Sequence, residues 1–125
     1  MYLKKRVTHF VFSLMITFFL LRFFLFFLPS ANLILGKYNI HHLYTGAFLL
    51  VVVSIFFLVD IVNGYTTALA GIASAFILDE LIYLIATDGS DQAYLSPMSI
   101  WGSIIVISIV LIVTGAVYFY AQRKK

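Results

Sequence analysis

Arg22, His41, His42, Asp79 and Glu80 are the side chains in this sequence best equipped for chemistry, because each falls inside or at the mouth of a long apolar run. An ionisable group held away from water is costly, so such positions mark paired, ligand-binding or proton-carrying sites. Guanidinium, imidazole and carboxylate together admit three chemistries. The first, which the residues favour, is a buried ion pair in a structural or interaction protein of the membrane, in which Arg22 neutralises Asp79 or Glu80 and the histidines sit at the headgroup level. The second is a metal site of His41 or His42 with Asp79 and Glu80, a donor set suited to a divalent metal such as zinc and open to an enzyme acting on lipid. The third is a proton or ion relay through a desolvated Asp79 or Glu80.

The elements that must position these residues are legible in composition. Of 125 residues, 63% are hydrophobic and 10% charged, with mean hydropathy +1.08. Soluble domains carry about a quarter charged residues, and one this small buries too little surface to hide so much apolar side chain. Lipid is therefore the solvent for most of the chain. The formal charge of +3 sits mainly at the ends and gives no footprint for nucleic acid. No cysteine is present, which excludes disulfides and thiolate metal sites.

Four apolar runs, at about 7–28, 40–62, 65–86 and 97–120, each approach the roughly 20 residues that cross a bilayer as a helix. Pro29 ends the first. Asn39 is placed to cap the second, Asn63-Gly64 to turn between the second and third, Asp88-Gly89 to close the third, and Ser96-Pro97 to start the fourth. Lys4-Lys5-Arg6 before the first run has the look of a signal-peptide n-region. The run is longer than the roughly 7–15 residues of an h-region, so it reads as a retained helix. Lys4, Lys5, Arg6, Arg123, Lys124 and Lys125 gather at two ends that an even number of crossings puts on one side. The positive-inside rule makes that side cytoplasmic. The expectation is an all-α, polytopic protein of the cell membrane: one domain, an up-down bundle of four transmembrane helices with cytoplasmic N- and C-termini.

That orientation sets depths. Arg22 lies about fifteen residues beyond the start of the first run and Asp79 about fourteen beyond the start of the third, roughly 21–23 Å along each helix. His41 and His42 open the second helix on the same outward side. Polar groups from three helices thus converge in the extracytoplasmic half. In the third run Thr67, Gly71, Ala75, Asp79 and Tyr83 recur every fourth residue, a stripe whose small members, Gly71 and Ala75, admit close helix packing. Self-association as a homo-oligomer, or pairing with another membrane protein, is expected through it. On helix geometry Ser13 and Arg22 fall on opposite sides of the first helix.

Other patterns carry less. Neighbours on a helix diverge by about 100°, so His41 and His42 are not expected to share an ion, and no His-x-x-x-His or Glu-x-x-His spacing is present. His9 and His41 lie on opposite sides of the membrane, which leaves no haem pair. No nucleophile elbow organises a hydrolase, and the 88–91 loop lacks the twelve-residue calcium pattern. Tyr38, Tyr44, Tyr94 and Trp101 read as an outer aromatic belt, Tyr118 and Tyr120 as an inner one; Gly102 and Ser103 read as packing positions.

The segments Ile40-His41-His42-Leu43-Tyr44-Thr45-Gly46, Leu78-Asp79-Glu80-Leu81 and Tyr94-Leu95-Ser96-Pro97 resemble a group of small, functionally unassigned prokaryotic integral membrane proteins. These have four helices, a His-His-x-x-x-Gly motif opening one and an Asp-Glu pair in the next. The resemblance covers helices two to four and implies that His42, Gly46, Asp79 and Glu80 belong to one site. It implies no activity.

Overall fold

A computed structural model describes residues 2–124. Its helices are α1 (Leu3–Phe27), α2 (His42–Leu58), α3 (Gly64–Ala86), the single turn α4 (Asp91–Tyr94) and α5 (Pro97–Arg123); strands β1 (Leu33–Leu35) and β2 (Tyr38–Ile40) form a hairpin. The chain is mostly helical. Three helices, α1, α3 and α5, are long and apolar enough to cross a membrane; α2 is equally apolar but has 17 residues.

Helix α3 is the axis of the molecule, with α1, α2 and α5 packed around it. Helix α1 runs parallel to α3: His9 lies against Gly64, Ser13 against Gly71 and Arg22 against Asp79. Helices α2 and α5 run antiparallel to it, Gly46 meeting Phe76 and Ile77, and Gly102 meeting Ile82. All the members of the four-residue stripe are buried, and the partner they admit is α1 of the same chain. A methyl group on Gly71 would collide with Ser13 Oγ and the Phe10 carbonyl, and stand 3.0 Å from Leu14 N. The stripe is therefore packed against α1 within the chain. Leu14, Phe18 and Leu25 form the facing seam of α1, at spacings of four and seven, and Arg22 shares that seam. Ser13 and Arg22 do lie on opposite sides of it, yet both reach α3 from its two edges.

Several boundaries differ from the sequence expectation for physical reasons. Helix α2 starts late because Tyr38–Ile40 pairs with Leu33–Leu35, Leu33 opposite Ile40. Asn39 sits in that strand, so His41 takes the N-cap position. Gly36, at φ +62°, is the first of two turn residues, where a hairpin turn favours glycine. The end of α2 comes early, in a Schellman motif: Ile61 N–H donates to Phe56 O at 2.9 Å and Asp60 N–H to Phe57 O at 3.2 Å, with Asp60 left-handed at φ +58°. Asn63 is a cap and not a turn residue. Its Oδ1 accepts from Tyr65 N and Thr66 N, while Thr66 Oγ1 accepts from Asn63 N, closing a capping box that starts α3. Ser96 caps α5 with Pro97 at its first position, as its sequence suggests.

Because Gly71 faces backbone that cannot step aside, Gly71→Ala is expected to destabilise the fold by about 1–3 kcal/mol despite alanine's better helix propensity. Reversible unfolding in mixed detergent micelles measures this, and an unchanged midpoint would contradict the α1–α3 contact.

Candidate functional site

Arg22 reaches from α1 into the space between α3 and α5, and every nitrogen of its guanidinium is used. Nε donates to Asp79 Oδ1 at 2.5 Å. Nη1 donates to the Tyr94 carbonyl at 3.0 Å and Ser99 Oγ at 3.2 Å. Nη2 donates to the Asp79 carbonyl at 3.0 Å, Ser99 Oγ at 3.2 Å and Ser103 Oγ at 3.1 Å. Its plane also covers the Tyr94 ring, 4.3 Å from the centroid. A planar fork with five donors suits such a junction, where a lysine could not bridge as many partners. One side chain thereby ties α1 to α3, α4 and α5.

Asp79 is fully buried, and both of its oxygens are engaged. Oδ2 accepts from the Tyr94 hydroxyl and lies 2.9 Å from His42 Nε2. Burial, then the neighbouring Asp79 carboxylate, push the Tyr94 phenol above its ordinary value, so the hydroxyl keeps its proton and serves as a donor.

Glu80, the next residue, points toward α2. Its Oε2 accepts from Leu43 N–H at 2.8 Å, capping a helix whose own N-cap residue, His41, makes no side-chain cap. A carboxylate there also matches the positive end of the helix dipole. Its Oε1 lies 3.2 Å from His41 Nδ1 and 3.3 Å from His42 Nδ1. Both histidines thus reach one carboxylate oxygen, against the expectation from helix geometry. The reason is that His41 precedes the helix in extended backbone (φ −64°, ψ 145°), so the 100° step does not apply between them.

The five residues singled out in the sequence are brought together, Arg22 on Asp79 and the two imidazoles on the carboxylates. The imidazole nitrogens that approach the carboxylates do so at ion-pair distance. Among the described residues no group of three or more His, Cys, Asp or Glu side chains is disposed to hold a metal ion. Three participants were missed. Tyr94, read as part of an aromatic belt, is 4% exposed and at the centre of the network. Ser103, a packing position by sequence, and Ser99 stand four residues apart, a spacing that puts two hydroxyls on one helix face and is the signal the sequence offers.

Two spaces adjoin the cluster. A cleft of about 280 Å3 lies between α1 and α2, with Phe24, Leu25, Phe76, His41, His42 and Glu80 in its wall. A polar crevice of about 20 Å3 is bordered by His41, His42, Glu80, Tyr83, Asp91 and Tyr94. That volume is enough to hold one water molecule.

Fold and cluster together define a small helical membrane protein with a hydrogen-bonded charge network at one end of its helices. No family model, curated protein or solved structure matches the chain.

Removing Arg22 strands the buried Asp79 carboxylate. Arg22→Met is expected to cost about 3–5 kcal/mol, as for other broken buried pairs. Adding Asp79→Asn should recover on the order of 1–3 kcal/mol of that loss. Strictly additive effects in a double-mutant cycle would contradict the pairing.

Proposed function

We propose that this chain is a multi-pass protein of the cell membrane that crosses four times with both termini cytoplasmic, and that its outward cluster is a proton-binding site. The topology is supported by the six basic residues at the two ends and by the up-down order of the helices. Seventeen residues put α2 at the short limit for a span, about 25 Å, a mismatch that local thinning of the bilayer accommodates.

One observation carries the functional reading: both ring nitrogens of His42 lie within ion-pair distance of carboxylate oxygens, Nε2 hydrogen-bonded to Asp79 at 2.9 Å and Nδ1 3.3 Å from Glu80 without hydrogen-bond alignment. A neutral imidazole brings no charge to either carboxylate, whereas an imidazolium faces both. The charges make the same demand. One guanidinium against two carboxylates leaves a single negative charge uncompensated, and one further proton shared by His42, Asp79 and Glu80 brings the cluster to zero. A neutral cluster is the form compatible with burial among apolar helices.

The groups around this proton come from every packed element. They are Arg22 on α1, His41 and His42 at the start of α2, Asp79, Glu80 and Tyr83 on α3, and Asp91 and Tyr94 on α4; among the described residues α5 contributes the Ser99 and Ser103 hydroxyls. The polar crevice, with room for one water molecule, is bordered by the histidines, Glu80 and the exposed Asp91 that opens α4. The Arg22–Asp79 half of the cluster assembles the helices, and the histidine–Glu80 half exchanges the proton.

Two measurements test this reading. Nitrogen-15 spectra of His42 between about pH 5 and 8, the range in which histidines switch, should show both ring nitrogens protonated in one state. A single ring proton throughout, with both carboxylates ionised by infrared, removes the site. For topology, the cysteine-free chain suits single-cysteine labelling. Cysteines at Lys37 and Gly89 should react with an impermeant thiol reagent from outside intact cells, and cysteines at Tyr2 and Arg123 should not. The reverse pattern would invert the assignment.

A further inference from the structure

We infer that the cleft between α1 and α2 binds a small organic ammonium ion, which takes the place of the bound proton. The inference rests on the proton-site reading and extends it to a ligand. The charged or ionisable side chains lining the cleft are His41, His42 and Glu80; Arg22 is absent from its wall, with all its nitrogens already bonded. Once the extra proton leaves, the site carries one net negative charge, and an anion is disfavoured there.

The remaining wall selects among cations. Leu21, Phe24, Leu25, Ile40 and Phe76 make most of it apolar and give it two aromatic rings, which suits alkyl or aryl substituents and a nearby cation. A bare inorganic cation would leave that surface unused, and no group of three or more acidic or imidazole ligands among the described residues is disposed to enclose one. Acceptors for N–H donors are present. Thr45 lines the cleft, and His41 directs Nδ1 to Glu80, leaving Nε2 unbonded among the described residues. About 280 Å3 lies just below the usual range for drug-sized ligands, so the occupant is a small amine and not a whole lipid.

Exchange conserves charge: an ammonium ion enters, and the proton shared by His42, Asp79 and Glu80 leaves to water. The cluster is neutral in both states and anionic only in passing between them. Binding therefore strengthens as pH rises through the range in which the site holds its proton, and the same coupling makes protonation expel the amine.

Benzylammonium and its neutral analogue benzyl alcohol, titrated into the full-length protein in lipid nanodiscs, provide the test. Calorimetry in two buffers of different ionisation heat reads affinity and proton release together. The expected result is one benzylammonium per chain, about one proton released, and affinity rising on the order of tenfold per pH unit while the site is protonated. Benzyl alcohol should bind at least about tenfold more weakly, the worth of one good polar discrimination. Glu80→Gln should abolish proton-linked binding. Because Glu80 also caps α2, Phe24→Leu serves as the second variant. It should weaken benzylammonium severalfold while leaving the His42 nitrogen-15 spectrum unchanged. If the alcohol binds as well as the amine, or the amine does not bind although His42 carries its second proton, the ligand assignment is overturned and the proton site stands. If His42 never carries that proton and both carboxylates stay ionised, both fall.

Discussion

The Arg22–Asp79 contact is the constraint around which the other elements are arranged. A guanidinium on α1 and a carboxylate on α3 are tolerable among apolar helices only if they meet, and they meet only if the two backbones come close. Gly71 and Ala75 provide that approach two turns and one turn below Asp79, where α1 fits against a surface with no room for a methyl group at Gly71. The remaining guanidinium donors then dictate what must surround them: the Tyr94 carbonyl and the Ser99 and Ser103 hydroxyls. Small residues, close approach, ion pair and hydroxyl-bearing α5 form one chain of physical necessity. Breaking it early leaves an unpaired charge later.

Asp79 and Glu80 are adjacent, and the step of about 100° between them lets one pair of carboxylates serve two separate interfaces. Asp79 faces α1 and α4, where the Arg22 cation and the Tyr94 hydroxyl await it. Glu80 faces α2, where it finds an amide and two imidazoles. His42 lies within ion-pair distance of both residues and so joins the arginine-paired half to the half that the histidines face.

Much of this was legible in the sequence. Apolar run lengths gave the helices, and the depth argument brought Arg22, His41, His42, Asp79 and Glu80 to one end, where the structure places them together. What resisted reading was set by tertiary contacts. The 29–39 segment carries no pattern of a buried strand, because β1 is wholly exposed and the hairpin is held by backbone pairing alone. That pairing moved the start of α2 to His42 and displaced Asn39 as its cap. Tyr94 resists reading because an aromatic residue near a helix end looks the same in sequence whether it faces lipid or, as here, a carboxylate. The Schellman turn at Asp60 gave no signal either, since left-handed C-terminal positions are usually marked by glycine.

The start of α2 shows why site and fold cannot be separated in a chain this small. A helix beginning in extended backbone at His41 has amides in need of acceptors, and its own sequence offers no capping side chain. Glu80, from another helix, meets that need through Oε2 while Oε1 contacts both histidines. The carboxylate that holds the imidazoles is therefore the one that fixes where α2 begins. Any change in charge on Glu80 acts on the first turn of α2 and, through it, on the position of His42, whose ring closes the circuit to Asp79 and Arg22.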